Sequence, residues 1–214
     1  MPAVELSPPV FLLAMPQVQD PFFHRSVVLL LGHTEEGSFG FVVNRPTGLQ
    51  LSEILEGMEL AWNGDPAAEA FLGGPVQPEA GTVVFARGAE PRADEPASKA
   101  LAVGGDLELE EVTDLAADQE ILPGVRLSQH QGDLETLALH PPRQFRLFLG
   151  YAGWGAGQLV SEILRNDWLT APADRSLLFS AEPGNVWESA LRSVGVDPAS
   201  LPAWTTPEPE GTAN

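Results

Sequence analysis

With 214 residues, 43% of them apolar, the chain has enough material for one full hydrophobic core. Thirty acidic residues against eleven basic ones leave a net charge of −19, which opposes the phosphate-neutralising face that nucleic-acid binding needs and repels anionic membranes. The absence of cysteine removes disulfides, thiolate nucleophiles and cysteine-based zinc sites, and no apolar run reaches the length of a membrane span.

Met1 to Val10 carries Glu5 and no Lys or Arg, so it lacks the basic region of a secretory signal. Cytoplasmic location is the default expectation. Val10–Pro16 predicts a short strand ended by Pro16, and Asp20–Ser26 a turn opened by Asp-Pro. Ser26–His33, apolar at every position from 27 to 31, predicts a strand buried on both faces. Thr34–Gly37 reads as a hairpin loop leading into a partner strand over Phe39–Asn44, which Arg45-Pro46 stops. Leu51–Gly57 predicts a short helix with Ser52 as its N-cap and Gly57 as its stop. Strands are expected over Glu69–Pro75 and Thr82–Ala86.

From Arg87 to Ala100 the pattern gives way to Ala, Pro, Glu, Asp and Arg, the composition of a surface excursion. Leu107–Glu110 alternates like an edge strand, Val125–Leu127 suggests another, and Asp133–Leu139 a short helix before two prolines. Ser176–Phe179 predicts a strand and Val186–Val194 a helix, with apolar positions 186, 187, 190, 191 and 194 and a stop at Gly195. From Pro202 onward Pro, Thr, Glu and Gly dominate, which predicts a disordered tail. The expected organisation is an N-terminal extension over 1–9, one domain over 10–195 and the tail over 202–214.

The stretch from Gln144 to Trp168 is the most informative. It predicts a buried strand through Phe145, Leu147, Phe148 and Leu149 and then a loop with glycines at 150, 153, 155 and 157. An amphipathic helix with apolar positions 159, 160, 163, 164 and 168 follows. Free N–H groups of such a loop, at a helix start, suit an anion or ligand cradle. The spacing matches neither a dinucleotide fingerprint nor a Walker loop. A tight turn packed under Tyr151 and Trp154 is the alternative.

Four segments together resemble the YqgE/AlgH family of bacterial proteins. They are Leu13-Ala-Met-Pro16 with Asp20–Ser26; Gly40-Phe-Val-Val-Asn-Arg-Pro46; Leu72-Gly-Gly-Pro75; and Gly150–Leu159 with Glu162 and Asn166-Asp-Trp-Leu169. The chain departs from that pattern between Arg87 and Pro141, where Leu127-Ser-Gln-His-Gln-Gly-Asp133 stands in for a Ser and an Asp entering a helix. The resemblance implies an α/β (α+β-like) single domain, a mixed, bent sheet with flanking helices, and a cytosolic location. It implies no settled activity. "Transcriptional regulator" is a label used in the family, and the acidity of this chain gives it no support as direct DNA binding.

The candidate ligand-binding residues are Asn44, Arg45, Gly153, Trp154, Gly155, Gly157 and Gln158. Asn44 and Arg45 end a buried strand with an amide and a guanidinium, a pair suited to carboxylate or phosphate; an ion pair and a turn clamp is the alternative. His33 has the chemistry of a general base but sits beside a hairpin, where a half-exposed His is ordinary. His24, His130 and His140 share no ligand-like spacing, so neither metal nor cofactor is expected. Ser26 lacks the Gly-x-Ser-x-Gly elbow of a hydrolase. Glu162 lies one turn into the central helix, with Asn166 four residues on; it could face a pocket, but a solvated face near Arg165 is the usual outcome. The leading expectation is a small-ligand-binding or regulatory protein taking an anionic or polar ligand, with no direct contact to nucleic acid or membrane. The alternatives are an enzyme in which Asn44, Arg45 and Gln158 orient a substrate, and, third, a DNA-binding regulator.

Overall fold

Most apolar runs among the described residues join one bent sheet. The computed structural model describes residues 6–86 and 119–202. The excursion expected near 87–100, the strand at Leu107–Glu110 and the tail beyond Pro202 lie outside the described residues. Among the described residues the ten strands are β1 (Val10–Ala14), β2 (Val27–His33), β3 (Gly37–Val42), β4 (Pro46–Gln50), β5 (Glu69–Leu72), β6 (Val76–Ala86), β7 (Gln119–Leu122), β8 (Val125–Ser128), β9 (Phe145–Gly155) and β10 (Trp168–Pro172). Their order is β10-β1-β2-β3-β9-β6-β8-β7, and β5 links β9 to β4 at the side. All pairs are antiparallel except β5–β9, where Phe71 faces Phe148 and Leu72 faces Leu149. The sheet is mixed and bent, with helices on both faces.

The bend sits in β9, and it corrects the loop expected over 150–157. Phe145–Leu149 pairs with β6 and Ala152–Gly155 with β3, so the strand runs on through the glycines while changing partners. Gly150 marks the changeover with a φ of +68°, open to glycine and costly for other residues. The glycines are demanded by close backbone crossings. A Cβ on Gly73 would lie 2.2 Å from the Gly150 carbonyl oxygen. Only Ala156-Gly157 remains as a turn before α3 (Gln158–Leu164).

Three other expectations change. Trp168 does not extend the helix: Asn166 (φ +63°) ends α3, with Asp167 N–H bonded to the Glu162 carbonyl and Asn166 N–H to that of Ile163. The chain then enters β10 at Trp168. Ser176–Phe179 is not a strand but falls in α4 (Arg175–Leu178), because the Asp174 carboxylate caps its start, accepting from Leu177 N–H at 3.0 Å. Ser52 is not the cap of α1 (Leu51–Gly57). Gln50 holds that position, since the Leu51 N–H is already taken by the Ala68 carbonyl at 2.8 Å. The strand expected over Phe39–Asn44 ends earlier, at Val42, and Pro46, expected to stop it, instead opens the edge strand β4, where a missing N–H is harmless.

The core forms on both sides of the sheet. On one face Phe11, Leu13, Val27, Leu29, Phe41 and Phe148 are closed over by Leu178, Val186, Trp187 and Leu191 of α4 and α5 (Pro183–Ser193). On the other face two patches form. Leu51, Leu55, Leu134 and Ala138 of α1 and α2 (Gln131–Leu139) cover Val83, Phe85 and Leu147. Beside them Leu159 of α3 packs with Leu12, Val28, Val42, Trp154 and Trp168. This last patch carries the site.

Candidate functional site

Strand alternation turns Trp154 of β9 to the same face as Ala152, and the start of β10 brings Trp168 beside it. The two indoles meet edge to face with ring centres 5.9 Å apart. Phe23, from the turn before β2, stacks on Trp154 at 6.2 Å and meets Trp168 edge-on at 5.6 Å. Across this aromatic group runs α3, entered through Gly157 at φ +68°.

Gln158 and Glu162 are four residues apart on α3 and therefore share a face. The Gly155 N–H donates to Gln158 Oε1 at 3.1 Å, and Gln158 Nε2 donates to Glu162 Oε1 at 2.9 Å. Glu162 Oε2 accepts from both indoles, Trp154 Nε1 at 2.9 Å and Trp168 Nε1 at 2.8 Å. One carboxylate thus ties helix, β9 and β10 together. It also lines a cleft of about 320 Å³, bounded by the 17–20 segment, Phe23, α3 and the start of β10. Asp20 lines the same cleft, and at its edge Arg165 bonds Asp167 at 2.8 Å. The opposite wall is anchored by Gln17, whose amide donates to the Asn166 carbonyl, and by Met15 N–H bonded to the Asp167 carbonyl at 2.9 Å.

A family model described as AlgH-like matches residues 11–199. The chain belongs to the AlgH-like family. Among AlgH-like relatives, a UPF0301 protein of Myxococcus xanthus is 39% identical over 194 residues, covering 90% of this chain and 93% of the relative. The solution structure of AlgH from Pseudomonas aeruginosa superposes with a TM-score of 0.65 at 32% identity, covering 91% of this chain and 94% of that one. A crystal structure of a Corynebacterium diphtheriae protein, 22% identical with a TM-score of 0.62, covers 90% of this chain and 89% of that one and shares the fold.

Of the seven residues singled out from sequence, this AlgH-like chain places Gly153, Trp154 and Gln158 in the cleft lining. Gly155 and Gly157 flank it; the Gly155 N–H is spent on Gln158 and is not free for an anion. Asn44 and Arg45 stand elsewhere. Asn44 clamps the start of β2, accepting from Val27 N–H at 2.9 Å and donating to the Arg25 carbonyl at 2.9 Å. Arg45 donates to the His24 carbonyl. Burial lowers its guanidinium pKa, and the charge of Asp20 acts the other way. Both residues therefore brace, from behind, the turn that presents Asp20 and Phe23 to the cleft. His24 in that turn also has its pKa lowered, by burial first and then by Arg25 and Arg45. His33 Nδ1 is paired across the hairpin with Ser38 Oγ at 2.7 Å.

Asn44→Ala is expected to cost about 1–3 kcal/mol, since it leaves the N–H of fully buried Val27 without its acceptor. Denaturant unfolding measures this; a loss within about 0.5 kcal/mol would mean that the clamp contributes nothing.

Sequence reasoning missed Asp20, Phe23 and Trp168 as cleft residues and ranked a solvated helix face above the pocket-facing position that Glu162 takes. The usable signal was a pair of tryptophans flanking a seven-residue helix whose Gln and Glu lie four apart.

Proposed function

We propose that the protein is a cytosolic binding protein, regulatory in role, whose small polar ligand occupies the cleft beside α3. The observation that carries this reading is Glu162: a carboxylate held by two indole N–H groups and one amide at the wall of an open cleft. Such a group is fixed in direction before any ligand arrives, so a donor on the ligand meets it without ordering cost. The cleft lining is mainly polar and charged, with Phe23, Trp154 and Trp168 beside it, so it offers a small polar molecule oriented donors and acceptors in a concave site. The Asn44–Arg45 pair supports the same reading indirectly, by bracing the turn that forms one wall.

A thermal-shift screen of small polar metabolites tests it, followed by NMR of the indole N–H signals. A compound that raises Tm should also move the Trp154 and Trp168 signals. Hits that leave both signals in place would put the ligand elsewhere and remove the reading.

Direct DNA binding is not part of the proposal. A net charge of −19 cannot supply the cationic contacts that dominate duplex affinity. No shift with any duplex is expected at physiological salt; a sub-micromolar, salt-sensitive complex would overturn this. Among the described residues no helix is long and apolar enough to cross a membrane.

A further inference from the structure

We infer that the ligand of the α3 cleft is a small organic cation, an alkylammonium or guanidinium compound. The inference rests on the cleft reading above and adds the sign and chemical type of the ligand. Four charged side chains line the cleft: Asp20, Glu162, Arg165 and Asp167. Arg165 is spent on Asp167, which takes both its Nε, at 3.1 Å, and its Nη2, at 2.8 Å. Glu162 is met by neutral donors alone, two indoles and an amide. A carboxylate offers about four lone-pair sites, so three donors leave acceptor capacity over.

The Arg45 guanidinium behind its turn offsets part of the Asp20 charge, so Glu162 is the carboxylate of the lining met by neutral donors alone, and an anion entering the cleft would meet repulsion without a fork to hold it. A bare metal ion fits no better. Among the described residues no three carboxylate or imidazole groups come together as metal ligands. Phe23, the partly exposed ring packed on buried Trp154 and Trp168, adds aromatic surface of the kind that ammonium and guanidinium groups favour. At about 320 Å³ the space admits a compound of a few heavy atoms.

The test is an NMR titration of the intact protein at low salt, following the indole N–H signals of Trp154 and Trp168. The probes are n-butylammonium and methylguanidinium chlorides, with sodium acetate and propionamide as the anionic and neutral comparisons. Both cations should move the two signals saturably, and acetate and propionamide should not. Glu162→Gln should weaken the cations by about tenfold, and the near-isosteric Asp20→Asn by a smaller factor in the same direction. If Glu162→Gln does not fold, Asp20→Asn alone decides, because no weakening there would sink the electrostatic argument. Acetate or propionamide binding in place of the cations would overturn the cationic class and leave the cleft reading standing. No movement with any probe at millimolar concentration would overturn both.

Discussion

Gly40→Ala is expected to abolish folding. An added Cβ would lie 2.2 Å from the Leu29 carbonyl oxygen and 2.9 Å from the Leu30 Cα, both backbone atoms. Gly40 pairs with Leu30 on one side and Ala152 on the other, so the strand cannot move away without breaking a second ladder. A side chain can swing aside; backbone in the middle of a sheet cannot. The cost should exceed about 4 kcal/mol, a large part of the stability of an ordinary domain. Gly57→Ala is the comparison. It ends α1, has ordinary φ and meets nothing within 4 Å, so alanine should be neutral or stabilise by up to about 1 kcal/mol. Circular dichroism and thermal melting distinguish the two. A cooperative Gly40→Ala melt within a few degrees of the parent would mean that the strands are farther apart than described.

Glu162→Ala should destabilise by about 3–4 kcal/mol. Trp154 and Trp168 are 5% and 4% exposed, so their N–H groups have little access to water once the carboxylate is gone. Gln158 loses its acceptor at the same time. Glu162→Gln keeps an oxygen for the indoles and should cost about half as much, so the gap between the two variants reports the acceptor rather than the side-chain bulk. Denaturant unfolding gives both numbers. A loss under about 1 kcal/mol for the alanine variant would show that solvent replaces the carboxylate, and the cleft would then be wetter than its lining suggests.

The strands β1, β2 and β3 with their hairpin, and the helices α1 and α5, were legible because local pattern and final environment agree. The stripe at 186, 187, 190 and 191 is the buried face of α5. The glycine run at 150–157 misled for a definite reason. Locally, four glycines in eight residues read as a loop; in the fold, β9 must pass close to Gly73 and Gly74 and change partners, and only small residues permit that. Trp168 fitted the helical period and was still excluded, because Asn166 in the left-handed region ends the helix first. The run at 176–179 is too short for periodicity to choose between helix and strand, and the deciding cap, Asp174, lies just before it. Of the partners of Glu162, local spacing gives Gln158 alone; the two indoles come from the strands on either side of α3, and their meeting is a tertiary event.

The pairing of β1 with both β2 and β10 has a consequence for synthesis. Val10 finds its partner in β2 at Leu30, but its second partner, Pro172, leaves the ribosome about 160 residues later. At ordinary elongation rates that is a wait on the order of ten to thirty seconds. Through that interval β1 and β3 each present an open edge, since β9, which covers β3, also lies late in the chain. Exposed edges of this kind recruit other strands. The excess of acidic residues opposes contact between copies during that interval, because chains of the same charge repel one another.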